Sequence, residues 1–241
     1  MSNLSGKVVL ITGAGSGVGA AAALQFHAQG AKVAIAGRSA EKLAKTAAGH
    51  DDILVVPTDV TDYGAVQQLF QKVNSHFGRI DILVNNAGVN IKARKMRELT
   101  IDSWNQLVRT NLDGVFYCMK EVLPQMIERQ SGLIININSV SGKRPYPLAG
   151  PGYAAGKFGL HGLSGCVANE ELESKIRVSS IYPGEIDTPI LDERPTPVSA
   201  EQRAKILKPE DVADAILFIA SLPEHVNIPE LIIKPTSQMY F

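Results

Sequence analysis

The stretch that most restricts the fold is Lys7-Val8-Val9-Leu10-Ile11-Thr12, followed at once by Gly13-Ala14-Gly15-Ser16-Gly17-Val18-Gly19. A short, unbroken apolar run reads as a strand covered on both faces, and such strands belong to parallel sheets. After the glycines an alanine-rich helical pattern runs to near Gly30. Strand, glycine loop and helix form the arrangement in which backbone N–H groups and a helix N-terminus receive a phosphate. Glycine lets the backbone come close to the anion and take turn angles closed to other residues. A plain glycine turn between strand and helix would look the same, so the rest of the chain has to decide.

The alternation continues. Lys32 to Ala36, Ile53 to Val56, Ile80 to Val84, Leu133 to Ile137, Arg177 to Tyr182 and Leu231 to Lys234 read as further strands. Helical patterns cover Asp62 to Phe77, Thr100 to about Arg129, Pro151 to about Glu173, and about Pro209 to Leu222. Pro124 is expected to kink the second of these. Strands alternating with helices predict an α/β, Rossmann-type, doubly wound, seven-stranded parallel sheet flanked by helices. No repeat or linker interrupts it, so residues 1–241 read as a single domain. Gly13, Arg38, Asp59, Asn86, Ser139 and Gly184 all fall just after predicted strand ends, the edge that holds the ligand crevice in open α/β sheets.

Charge and cysteine usage exclude several classes. The 24 basic and 24 acidic residues cancel, so no global field draws the chain to nucleic acid or membrane. No apolar run is long enough to span a bilayer, and Met1 to Lys7 shows no signal-peptide pattern. Cys118 and Cys166 read as reduced core residues, and the five scattered histidines form no metal-ligand spacing. The expectation is a cytoplasmic protein without a metal.

Tyr153 and Lys157 stand four apart in a helical pattern and so project from one face. A free tyrosine, with a pKa of about 10, is a poor acid or base at neutral pH. An ammonium at about 4 Å, with an effective dielectric of about 20, would favour the phenolate by roughly 4 kcal/mol before desolvation costs, or about 3 pKa units. That would bring the phenol near the working pH. Such pairs also occur by accident on helix surfaces; the setting gives this one weight. Where an NAD site usually has an acid after the second strand, this chain has Arg38, whose guanidinium suits the 2′-phosphate of NADP.

The whole chain resembles the short-chain dehydrogenase/reductase family. The resemblance lies in Thr12-Gly13-x-x-x-Gly17-x-Gly19, Asn85-Asn86-Ala87-Gly88, Asn111, Ser139, Tyr153-x-x-x-Lys157, and Pro183-Gly184 with Thr188. It implies that Tyr153 is the acid/base, that Ser139 bonds the substrate oxygen, and that Asn111 anchors a relay water. Lys157 would lower the tyrosine pKa and hold the nicotinamide ribose. Gly13, Ser16 and Val18 would contact pyrophosphate and ribose; Asp59, Val60 and Asn86 the adenine side; Ile186 and Thr188 the carboxamide. Gly17, Gly19, Ala87, Gly88, Pro183 and Gly184 complete the cofactor set. The implied division is a cofactor part over about 1–150 and a substrate pocket with lid over about 139–205. A homotetramer or dimer is implied too. One departure stands out: many NADP users carry a second basic residue within the glycine loop, and here the loop has Ala14, Gly15 and Ser16.

Three segments are expected to border the pocket: Asn90 to Arg97, Val140 to Gly152, and Thr188 to about Lys205. The first two carry Lys92, Arg94, Lys95, Arg97, Lys143 and Arg144, any of which could hold a carboxylate; a solvated basic loop is the simpler reading. Tyr146 is a candidate apolar wall and the proline-rich third segment a candidate lid. The tail, Leu222 to Gln238, resembles the NADP-dependent serine and 3-hydroxy acid dehydrogenase branch. The expectation is hydride transfer between NADP and a small secondary alcohol or carbonyl, a 3-hydroxy acid among the candidates. A noncatalytic NADP(H) sensor is the alternative; it would be free to lose Tyr153 or Lys157, and both are present.

Overall fold

The computed structural model describes residues 4–239; Met1 to Asn3, the start of the segment read as leaderless, lie outside them. Seven parallel strands form one sheet in the order β3-β2-β1-β4-β5-β6-β7. They are β1 Val8–Thr12, β2 Lys32–Gly37, β3 Leu54–Pro57, β4 Ile82–Asn85, β5 Gly132–Ile137, β6 Ile176–Pro183 and β7 Glu230–Ile233. All of β1 and β4 is buried, as an unbroken apolar run requires of a strand covered on both faces. β1 pairs with β2 through Leu10 opposite Ala34 and with β4 through Leu10 opposite Leu83. The chain therefore reverses its direction of travel across the sheet between β3 and β4. That reversal opens a crevice beyond the carboxyl ends of β1 and β4.

Helices cover both faces. On one, α1 (Gly17–Ala28) and α8 (Pro209–Ala220) pack Ala22, Phe26, Val212 and Ile216 against β1 and β2 through Val9, Ile11 and Ile35. On the other, α3 (Tyr63–Phe77) and α5 (Gly114–Arg129) bring Leu69, Val73, Val122 and Met126 onto Leu10, Leu83 and Ile134. Alternate residues of β1 thus feed opposite cores, the period-two rule of a strand. The remaining helices are α2 (Ala40–Ala47), α4 (Ile101–Val108), α6 (Pro151–Glu170) and α7 (Ala200–Ala204). Local chemistry sets their ends. Asp62 caps α3 by accepting from the Ala65 amide at 3.1 Å, and Gly78, at φ 85°, ends it in the left-handed region. Thr100 and Ser103 form a reciprocal capping box at the start of α4.

Two expectations change. The region from Thr100 to Arg129 is not one uniform α-helix: α4 and α5 are joined by a π turn, Arg109–Asp113, which contains Asn111. Pro124 sits inside α5 without ending it. Cys118 is buried, but Cys166 on α6 is exposed rather than in the core, because a helix on a sheet buries only one stripe.

Candidate active site

The exit of β4 is tied onto the exit of β1. Thr12 Oγ1 accepts from the Asn86 and Ala87 amides, each at 3.1 Å, and Asn86 Nδ2 donates to the Thr12 and Gly13 carbonyls at 3.0 and 3.1 Å. Gly13 has φ 66°, and a Cβ there would lie 2.7 Å from Ala87 Cα. Gly13→Ala is therefore expected to cost about 1–3 kcal/mol, read as a lowered thermal midpoint, and to abolish dinucleotide binding. Unchanged stability would mean the β1–β4 crossing yields more easily than its bonds suggest. Ser16 flanks the start of α1 with no side-chain cap bond, and the first turn carries no acid. The amides of that turn and the positive end of the helix dipole are open to an anion. These features fit a dinucleotide phosphate cradle.

From here a cavity of about 580 Å³ runs along the sheet edge. Gly13, Ser16, Gly17, Val18, Arg38, Asn86 and Gly88 line one part of it, and Ser139, Tyr153, Lys157, Pro183, Gly184, Ile186 and Thr188 another. Gly19, Asp59, Val60, Ala87 and Asn111 do not line it. Gly19 and Ala87 pack behind the loop, against Asn86 and Gly13. Asp59 Oδ1 is engaged by the Thr61 amide and hydroxyl, each at 2.9 Å, and Val60 packs on Gly114. Fully buried Asn111 donates to the Val89 and Leu107 carbonyls, both at 2.9 Å, so the π turn holds the wall that follows Gly88.

Ser139 leaves β5 extended; its Oγ accepts from the Ser141 amide at 3.1 Å, and its hydroxyl remains a donor on the side of Tyr153. Ser141, the other serine of this segment, is itself buried and also lines the cavity. Tyr153 and Lys157 share a face of α6, with Lys157 Nζ 5.7 Å from the Tyr153 ring centroid. The expected depression of the phenol pKa is absent. Burial holds Tyr153 above its ordinary value, against the opposing pull of Ser139 and the charge of Arg94. Lys157, buried where Tyr153 is half-buried, donates to the Ile137 carbonyl at 2.8 Å, and falls to about 8. Desolvation is the largest cause in both groups.

The family model for short chain dehydrogenase matches residues 7–198. The chain belongs to the short-chain dehydrogenase family. An uncharacterized oxidoreductase of Staphylococcus aureus (strain USA300) is 37% identical over 237 residues, 98% of this chain and 100% of that one. The closed form of serine dehydrogenase complexed with NADP+ superimposes with a TM-score of 0.90 at 32% identity, covering 97% of this chain and 96% of that chain. A 3-ketoacyl-(acyl-carrier-protein) reductase from Brucella melitensis complexed with NADH gives 0.89 at 30% identity, covering 98% and 100%.

Within this short-chain dehydrogenase, the cavity singles out Arg94 from the basic residues named as possible carboxylate holders: it is only 5% exposed, unlike its exposed neighbours Lys92, Lys95 and Arg97. The basic run is a solvated loop with one residue turned inward. Tyr146, the expected wall, lines the cavity, and so do Glu185, Glu193, Arg194 and Gln238, which the sequence did not single out as site residues. Gln238 Oε1 accepts from the Glu185 amide at 2.8 Å, bringing the tail over the strand end at Gly184. The proline-rich segment is ordered by ion pairs: Arg203 bridges Asp187 and Asp192, and Lys208 meets Asp187 at 2.9 Å. No helix among the described residues is long and apolar enough to cross a membrane.

Proposed function

We propose that the chain is an NADP-dependent oxidoreductase that interconverts a secondary alcohol and a carbonyl on a small substrate. The observation that carries this is the sharing of one cavity by the glycine loop, Arg38, Ser139, Tyr153 and Lys157. When bound, the nicotinamide supplies or accepts the hydride. In reduction Tyr153 protonates the carbonyl oxygen, and in oxidation its phenolate takes the hydroxyl proton. Ser139 donates to that same oxygen and so holds it beside the phenol. Lys157 places a cation under the tyrosine and carries ribose contacts. Asn111, fixed by its main-chain bonds, is assigned the relay water.

Gly13, Ser16, Gly17 and Val18 are assigned the pyrophosphate, Asp59, Val60 and Asn86 the adenine side, and Ile186 and Thr188 the carboxamide. Arg38 is exposed at the cavity margin and is assigned the 2′-phosphate. Lys42 of α2 is assigned the part of the second cation that the loop sequence lacks. Lys42 Cβ lies 3.0 Å from where a Cβ on Gly15 would sit. A 3-hydroxy acid is the substrate favoured by the tail and by the similarity to serine dehydrogenase. The protein is assigned to the cytoplasm, and copies would meet through exposed Phe116 of α5 and Phe158 of α6.

The test is reduced-nicotinamide absorbance with NADP or NAD over a panel of 3-hydroxy acids, secondary alcohols and sugars. Arg38→Glu should weaken NADP about 10- to 100-fold, the worth of a charge-assisted bond, and leave NAD little changed. Equal affinity of the wild type for the two cofactors would overturn the NADP assignment.

A further inference from the structure

Several charged side chains in or near the cavity are paired off. Arg194 meets Glu185 at 3.2 Å, Lys143 meets Glu230 at 2.5 Å, and Arg203 and Lys208 share Asp187. Arg94 differs. Its Nε donates to the Ile91 carbonyl at 2.6 Å, Nη1 to the Leu148 carbonyl at 3.0 Å, and Nη2 to the Glu193 carbonyl. Every one of these partners is a neutral main-chain oxygen. The Glu193 carboxylate and the Arg194 guanidinium act on Arg94 only through space, with opposite sign.

A guanidinium has more N–H donors than these carbonyls use, leaving one on each terminal nitrogen. A buried cation without an opposite charge in contact costs stability, and an anion entering the site would relieve that cost. The side chain lines the cavity, and its charge acts on the phenol of Tyr153, so it stands at the reacting end rather than at the Arg38 end. The three carbonyls also fix its position, since they come from three separate walls of the pocket.

We propose that Arg94 receives an anionic group of the substrate, a carboxylate carried near the reacting carbon, and so selects keto and hydroxy acids over their neutral counterparts. The inference rests on the oxidoreductase reading above. If Arg94 served only to strap the three walls together, its loss would harm acids and neutral substrates alike.

Acetoacetate and methyl acetoacetate, a matched acid and ester, separate the two roles when reduced with NADPH. Wild type should prefer the acid. Arg94→Gln keeps a donor for the carbonyls but removes the charge. It should lose about 10- to 100-fold in kcat/KM for acetoacetate and little for the ester, whereas Arg94→Lys should keep part of the preference. An equal fall for both compounds, or no preference in the wild type, would overturn the proposal. Calorimetric titration of propionate and propionamide into the NADP+-loaded protein decides the matter without turnover. Propionate binding that vanishes in Arg94→Gln supports the anion site even where neither keto compound reacts, and that result would count against the oxidoreductase reading alone. Propionate binding that is absent, or indifferent to Arg94, would overturn the anion site.

Discussion

Tyr153→Phe is expected to lower kcat by about 10²- to 10⁴-fold, the usual contribution of a positioned general acid or base, while leaving cofactor affinity nearly unchanged. The hydroxyl is the only group removed, and the ring that lies over Lys157 stays. Turnover followed at the nicotinamide absorbance, beside a fluorescence titration of NADPH, measures the two quantities separately. Because burial holds the phenol above its ordinary value, Tyr153 stays protonated through neutral pH. Reduction, which needs the proton, should hold level across neutral pH and fall only at alkaline pH. Oxidation, which needs the phenolate, should climb as pH rises. A variant that keeps activity within about threefold of wild type, well short of an acid–base contribution, would remove Tyr153 from the chemistry.

Lys157→Met should do two opposite things: remove activity and make the fold more stable near neutral pH. Burial drops the lysine from 10.5 to about 8. Between those values the unfolded chain holds a proton that the folded chain has shed, so stability from this group rises with pH across that window. Below about 8 the folded protein carries the whole penalty, on the order of 3 kcal/mol for this shift. The methionine variant escapes it but orphans the Ile137 carbonyl, which gives back about 1 kcal/mol or more. The variant's advantage should be largest at pH 7 and shrink as pH approaches the unfolded lysine's value. Cys118 and Tyr182, both raised to about 12, are common to the two proteins and cancel in the difference. Urea unfolding at both ends of the window measures it, and a pH-independent difference would refute the buried-cation account. A site residue that burdens its own fold is the ordinary exchange of stability for function.

The sheet was legible because buried parallel strands are unbroken apolar runs, and the Thr12 to Gly19 loop announced its own geometry. Ser139, Tyr153 and Lys157 were legible as a group because residues at strand ends and on one helix face converge by topology. Arg94 was legible only as one basic candidate among several. Its sequence neighbours are solvated cations, and two of its partners come from Leu148 and Glu193, far along the chain. The pKa directions were also out of reach, since an attraction estimated from spacing omits the desolvation that decides the sign. Asp59 and Val60 follow a strand end, as the site residues do, yet stop short of the cavity lining; the pattern marks the edge and not the distance along it.

The π turn at Arg109–Asp113 is one residue longer than the α-helical turn it replaces, and that surplus sets a phase. Upstream, α4 points its stripe at α6; downstream, α5 points its own at α3 and the sheet. Deleting any single residue between 109 and 113 would restore regular winding and turn everything after it by about 100°, one residue's share of a 3.6-residue turn. Val115, Met119 and Val122 would then swing off the sheet together. This segment therefore does not tolerate a change in length, and grafts from related chains across it must keep the count.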